Sequence, residues 1–562
     1  MRRLLLPALL LAAGCRAPGK DAMDAAAELR ALGDEYWEWV LRENPTYATY
    51  LGDFRYNDRL ADLSESARAR RRAEAQAFLE RVRRLEAGPL GESDRVTAEI
   101  LRLQLEFFLE EDRHKFWQWD VDQMNGPQAD FPQLLNYHPS SDEAGLRARF
   151  RAFPVYIGQY LENLRAGLRE ARVAVAPAVD RVIGQLRELL ARPPETSPFA
   201  VRPSLVPDIR DAVYPAYRSM LEFLEREYRP RARTREMGLS ALPGGAEAYR
   251  FRIRMHTTTD ATAEELHRVG LEELRGIQEE MRRIAGGALP PFLERLKADP
   301  RSFFASREEI VEAARRDLER ARAALPRFFR RLPRTDCEVK PIEDYREKDA
   351  VAAFYYPPDE KLTRKGIFYV NTHAPTSRPR YNMTALTVHE AVPGHHLQIA
   401  LAMEIEGLPR FRRHAGFTAF IEGWGLYAER LGDEMGLYAD DLARFGMLTY
   451  QAWRACRLVV DTGLHALGWT REQAVRFFME NVALTEPEVL NEVDRYIIWP
   501  GQALAYMVGR REIAALRSRA ERALGPAFDV REFHDLVLRE GAVPLTTLRR
   551  RVEEWIASAR RG

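Results

Sequence analysis

The chain has 562 residues, with 85 Lys and Arg against 84 Asp and Glu, for a net charge of +1. That balance excludes the basic footprint of a nucleic-acid binder. Hydrophobic residues make up 46% of the chain, a globular composition, and its three cysteines are too few for a disulfide scaffold.

In chain order, Met1-Arg2-Arg3 precedes a mostly apolar run from Leu4 to Ala13, followed by Gly14 and Cys15. A positive start, a short apolar core and small residues before a cleavage point make a secretory signal, and the run is too short for a permanent span. Leu11-Ala12-Ala13-Gly14-Cys15 resembles a bacterial lipobox, so Cys15 is expected to carry the lipid of a mature protein. Arg16 stands where an inner-membrane retention Asp would be. The implied address is the periplasmic face of the outer membrane. The chain then divides into the signal, 1–15, and one continuous unit, 16–562. Cys337 and Cys456 are left as free thiols or one disulfide.

The body reads as helices. Ala25 to Arg42 carries Leu29, Leu32, Tyr36, Trp37 and Val40 at helical spacing, and Asn44-Pro45 ends it. A second helix starts near Ser64, and Asp94 to Glu111 and Ser141 to Ala174 continue the pattern. Pro177, Pro193-Pro194, Pro203 and Pro207 punctuate the next stretch. Residues from Thr259 to Glu264 start a helix from Leu266 to Ile284, and a charged helix runs from Ser306 to Leu325. Cys337 to Ile342 and Gly366 to Asn371 are strand-like in their β-branched and aromatic content. The second run is either an edge strand, with Asn371 placed to hold an extended substrate by main-chain pairing, or a buried hairpin.

Next comes Val388-His389-Glu390-Ala391-Val392-Pro393-Gly394-His395-His396-Leu397-Gln398. Three of the chain's eleven histidines fall here within eight residues. Neutral imidazole is the commonest metal ligand. The stretch resembles the H-E-x-x-H zinc helix, but Pro393 occupies the place of the second histidine. The alternatives are i+6, His395, and i+7, His396. In an unbroken helix i+7 returns to the face of His389 about 10 Å along the axis, and i+6 points away. Pro393 predicts a kink, which Gly394 permits and which can bring either histidine back. Glu390 is the candidate general base toward a metal-activated water. The candidate third ligand is Glu422, in Phe420-Ile421-Glu422-Gly423-Trp424. Glu429 shares its helical face, and one of the two is expected to bind metal while the other orients a histidine. Further on, Arg495 is a candidate for a substrate carboxylate, and Tyr496 and Tyr506 for an oxyanion donor.

These segments are similar to the bacterial domain-of-unknown-function 885 family. The resemblance runs through Asn44-Pro45-Thr46, Gly52-Asp53, His256-Thr257-Thr258-Thr259, the 389–398 stretch, Glu422-Gly423-Trp424, Arg495-Tyr496, Pro500 to Ala503, Tyr506 and Gly509, Phe533-His534 and Gly541 to Leu545. More distantly the chain resembles the helical zinc peptidases: thimet oligopeptidase, angiotensin-converting enzyme and Taq-type carboxypeptidase. That resemblance implies a mostly α, two-lobed fold with a deep cleft and a small β-sheet beside the metal helix. It also implies a metal site between residues 365 and 510, with zinc held by His389, by His395 or His396, and by Glu422. Glu390 would be the base and Tyr506 the donor, while Asn371, Arg495 and Tyr496 would touch substrate. The expected activity is zinc-dependent hydrolysis of short peptides at the membrane surface, with hydrolysis of another amide or ester, or peptide binding without catalysis, as alternatives.

Overall fold

A computed structural model describes residues 20–137, 142–343, 347, 350–359 and 362–560. The signal segment and Cys15 lie outside the described residues. The chain is mostly helical, with one small sheet. Among the described residues no helix is long and apolar enough to cross a membrane.

Three N-terminal helices form where the apolar stripes predict them: α1 (Lys20–Glu43), α2 (Glu65–Glu86) and α3 (Glu92–His114). Ser64 caps α2 by accepting the Ala67 N–H, which satisfies one of the donors a helix start leaves open. The proline-punctuated stretch is more helical than its composition suggests. α4 (Glu143–Arg169) is followed by α5 (Ala176–Ala191), whose Pro177 sits in the first turn, where a missing N–H costs nothing. With the segments around them they enclose a core of their own, built on Phe150, Phe153, Phe199 and Tyr217. α6 (Ala263–Ala285) starts at a capping box between Thr262 and Glu265, and α7 (Arg307–Ala324) starts at Ser306.

The sheet has strands β1 (Cys337–Pro341), β2 (Ala353–Tyr356) and β3 (Gly366–Val370) in the order β1-β3-β2. β3 is parallel to β1 and antiparallel to β2. The Gly366–Val370 run is therefore the central strand. Both its edges are paired, which removes it as a docking edge for an extended peptide. β2, four residues of which three are aromatic, carries too short a pattern to be read from sequence.

The helices that follow carry the site: α8 (Met383–Glu390), α9 (His395–Met403), α10 (Thr418–Glu434), α11 (Asp441–His465), α12 (Glu486–Ile498) and α13 (Ala505–Leu524). α6 packs along α11, and α13 packs along α10. Two hydrophobic cores meet here. One joins the N-terminal helices to the sheet and to α8–α10; the other lies between α6, α11 and α12. Leu386 on α8 and Val508 on α13 pack against both, so the site helices lie on the seam.

The candidate metal centre

Around Pro393 the helix does more than kink. α8 ends at Glu390, Ala391 leaves helical geometry (φ −101°, ψ −107°), and α9 restarts at His395. Pro393 has no N–H to continue the ladder. The Val392–Pro393 peptide is cis. Gly394 closes the loop by donating its N–H to the Val388 carbonyl at 3.0 Å. A Cβ at Gly394 would lie 1.9 Å from the His389 carbonyl oxygen, so only glycine fits. The Trp424 indole N–H donates to the Pro393 carbonyl at 2.8 Å and ties the loop to α10.

The break swings residue i+6 back beside residue i. The His389 and His395 rings lie 4.7 Å apart and nearly perpendicular, at 85°. His389 Nε2 is 3.6 Å and His395 Nε2 is 3.5 Å from the same atom, Glu422 Oε2. His389, His395 and Glu422 each offer one ligand atom, and these lie within 4.8 Å of one another. His395 Nδ1 is buried with no partner among the described residues.

His396 goes the other way. Its Nε2–H donates to the Thr335 carbonyl at 3.0 Å, which leaves Nδ1 to accept the Tyr355 hydroxyl at 2.9 Å. Burial pushes its pKa down to about 4, in keeping with a neutral ring. With one nitrogen protonated and the other accepting, His396 has no lone pair to give. Of the two alternatives, His395 alone stands with His389 and Glu422.

Helix α10 supplies both carboxylates that face His389. Glu422 lies on its Nε2 side, and two turns on Glu429 Oε1 accepts the Nδ1–H at 2.8 Å. Glu429 is fully buried and is itself held by the Gln451 amide, which donates to Oε2 at 2.8 Å. Burial opposes a charge on His389, but its hydrogen bonds to Glu422 and Glu429 outweigh that and raise its pKa to about 9. Burial likewise opposes a charge on Glu422, and the two histidines outweigh it, holding the carboxyl well below the usual carboxylate range. Half-buried Glu390 follows His389 directly and has no hydrogen-bond or ion-pair partner among the described residues.

This arrangement has the chemistry of a divalent-cation site. Two imidazole nitrogens and one carboxylate oxygen converge on a common volume, and a second carboxylate fixes the tautomer of one ring. Among the described residues Nδ1 of His395 has no hydrogen-bond partner, so its ring is not diverted as that of His396 is.

The remaining expected residues divide. Tyr506 is half-buried near the start of α13, which meets α10 at a point without side chains. A Cβ on Gly509 would lie 1.7 Å from the Ala419 carbonyl oxygen, and one on Gly423 would lie 2.4 Å from the Gly509 Cα. The Tyr506 hydroxyl has no partner among the described residues. Three other expected substrate contacts are engaged within the fold. The Asn371 amide donates to the carbonyls of Glu347, Ala350 and Val351, and its oxygen accepts the His373 N–H, so it secures the end of β3. The Tyr496 hydroxyl donates to Glu492 and accepts from Trp453 and Arg457 in the interior. Arg495 is spent on Glu492 at 2.8 Å and on Gln502. Sequence reading had no signal for Gln451, an ordinary helical glutamine, or for Tyr355 and Thr335, which divert His396. A cavity of ≈ 390 Å³ lined by Phe116, Trp119, Asp120 and Arg252 includes none of these site residues.

The fold is similar to the crystal structure of a candidate lipoprotein from Colwellia psychrerythraea. That protein is 28% identical, with a TM-score of 0.88 over 95% of this chain and 99% of that one. A candidate lipoprotein of unknown function from Shewanella oneidensis, 18% identical, has a TM-score of 0.73 over 93% of this chain and 99% of that one, a likeness of fold alone. No curated protein gives a significant match. Residues 45–552 match the family described as "Bacterial protein of unknown function (DUF885)", and the chain belongs to that family.

Proposed function

We propose that this chain is a metal-dependent hydrolase of peptide bonds in short peptides, with zinc held by His389, His395 and Glu422. One observation carries the reading: two imidazole nitrogens and a carboxylate oxygen lie within 4.8 Å of one another, next to a carboxylate, Glu390, that has no structural partner among the described residues. Two histidines and a glutamate are a donor set of catalytic zinc, which keeps a further position open. A divalent cation there supplies Lewis acidity, which makes water nucleophilic near neutral pH and draws charge from an acyl oxygen.

The protein's own groups do the rest. Glu429 keeps the Nδ1 proton of His389, so that Nε2 is the nitrogen that would give up its proton to face the cation. Glu390 takes the proton of the attacking water on a carboxylate oxygen and returns it to the departing amine. Tyr506, on the helix packed against α10, donates its O–H to the developing oxyanion. The body is a two-lobed helical unit with the site in a cleft along the seam of the two cores. The Leu11–Cys15 segment, with relatives described as candidate lipoproteins, supports a lipid anchor on Cys15 at the periplasmic face of the outer membrane.

The test is elemental analysis and peptide hydrolysis on purified protein lacking residues 1–15. Near-stoichiometric zinc and peptide turnover are expected, with turnover lost and zinc kept in Glu390→Gln. Protein that stays metal-free after zinc is supplied overturns the reading, as does turnover unchanged in Glu390→Gln. Preference for small esters over unmodified peptides reassigns the substrate.

A further inference from the structure

Beyond Gln451, helix α11 carries a second cluster of buried charge. Arg454 lies one turn on from the glutamine that holds Glu429, about 5 Å along the helix axis. It is 7% exposed, and its guanidinium stacks against the rings of Trp453 at 4.6 Å, Tyr450 at 4.9 Å and Tyr506 at 5.8 Å. Its Nε and Nη1 are buried and have no acceptor among the described residues. Arg457, one turn further and 4% exposed, lies over the other side of the cluster, 4.5 Å from the Tyr506 ring. Its Nε donates to the Tyr496 hydroxyl at 2.9 Å and its Nη2 to Glu492 at 3.3 Å, while Nη1 is buried without an acceptor. Arg495 takes the same Glu492 oxygen at 2.8 Å. Among the described residues, then, Arg454, Arg457 and Arg495 have one carboxylate within ion-pair distance, and it serves only the last two.

A buried cation with open N–H groups is costly to keep, and most buried polar groups in folded proteins are paired. Such a group persists where something else supplies the acceptor. The flanking rings of Trp453 and Tyr506 are only half-buried, so the cluster reaches toward the surface on that side. Nε and Nη1 lie on different edges of the guanidinium, each shared with Nη2, and either edge presents two N–H groups to match the two oxygens of a planar carboxylate. We infer that Arg454, assisted by Arg457 Nη1, is the subsite for a free carboxylate of the substrate. This rests on the hydrolase reading and deepens it. Tyr506, the proposed oxyanion donor, is with Trp453 one of two rings that both arginines lie over, which places the anchored end beside the scissile bond in this reading. The substrate class is peptides with a free C-terminus, cleaved near that end, and Arg454 is a specificity residue that takes no proton.

The test is isothermal titration calorimetry on Glu390→Gln protein with Ac-Ala-Ala-Ala as the free acid and as the C-terminal amide, with zinc content measured in parallel. The free acid is expected to bind about 10- to 100-fold more tightly, the worth of a charged hydrogen-bonded pair. Adding Arg454→Gln should bring the ratio near one, and Arg454→Lys should restore part of it, with zinc content unchanged. Equal binding of acid and amide overturns the subsite, as does no binding of either. Inorganic phosphate displacing the acid at lower concentration than acetate does would reassign the pocket to a phosphoryl group and overturn the carboxylate. If Arg454→Gln fails to fold, the comparison of acid with amide still decides. The two readings fail separately: metal-free protein that still distinguishes acid from amide keeps the subsite and removes the hydrolase, and zinc-loaded protein blind to the carboxylate does the reverse.

Discussion

The two buried charge clusters along α11 are mirror images in sign. Around His389 and His395 stand three carboxylates, Glu390, Glu422 and Glu429, which exceed what two imidazoles neutralise. Around Tyr496 and Tyr506 stand three guanidiniums, Arg454, Arg457 and Arg495, with Glu492 the one carboxylate within ion-pair distance among the described residues. The first region is short of positive charge and the second of negative charge. A protein that balanced each cluster internally would have two structural salt-bridge networks. Both are left unbalanced here, which the proposed cation at one cluster and the proposed substrate carboxylate at the other would offset.

Removing a ligand breaks the comparison most completely. His389→Ala, His395→Ala and Glu422→Ala should each abolish stoichiometric zinc by elemental analysis, while His396→Ala keeps the zinc and loses about 1–3 kcal/mol of stability from its two stranded partners. Zinc lost in His396→Ala and kept in His395→Ala would reverse the assignment of the pair.

Glu492→Gln sharpens the other side. Removing the sole carboxylate from buried guanidiniums should cost about 3–5 kcal/mol in urea unfolding at pH 7. Burial opposes the charge on Glu492, but Arg495 and Arg457 outweigh it and lower its pKa to about 2. A carboxyl with a depressed folded pKa contributes stability above its unfolded pKa, about 4.3, and loses it as pH falls through the folded value. Wild-type protein should therefore lose about 3 kcal/mol from this group between roughly pH 4.3 and 2. The difference between wild type and variant should shrink over that window. A constant difference down to pH 2 would mean the carboxylate is not held by the arginines.

The smallest expected effect is at Glu429→Gln. The amide keeps an acceptor for His389 Nδ1–H and loses the charge, so zinc affinity should fall about 10- to 100-fold by chelator competition. Unchanged affinity would make Glu429 a packing residue.

Much of this was legible beforehand. Helix starts followed the capping chemistry of Ser64, Thr262 and Ser306, and β1 and β3 fell on their β-branched runs. Glu422 and Glu429 were readable as one helical face because seven residues are two turns. What escaped depended on distant partners. The choice between His395 and His396 rests on Tyr355 and the Thr335 carbonyl, which lie 41 and 61 residues away. Asn371, Arg495 and Tyr496 have the chemistry of substrate contacts, and only their neighbours show that it is spent on the fold. Arg454 was one arginine among many until its lack of an acceptor set it apart.

Where Gly423 meets Gly509, the site depends on two residues that carry no chemistry at all. The backbones of α10 and α13 touch there, with no side chain to shorten or reshape in compensation. Any substitution at either position wedges the helix bearing Glu422 away from the helix bearing Tyr506. A saturation scan scored by function should therefore find these two codons about as intolerant as those for the metal ligands. Resistance to drift in this protein is thus set partly by atoms that are missing.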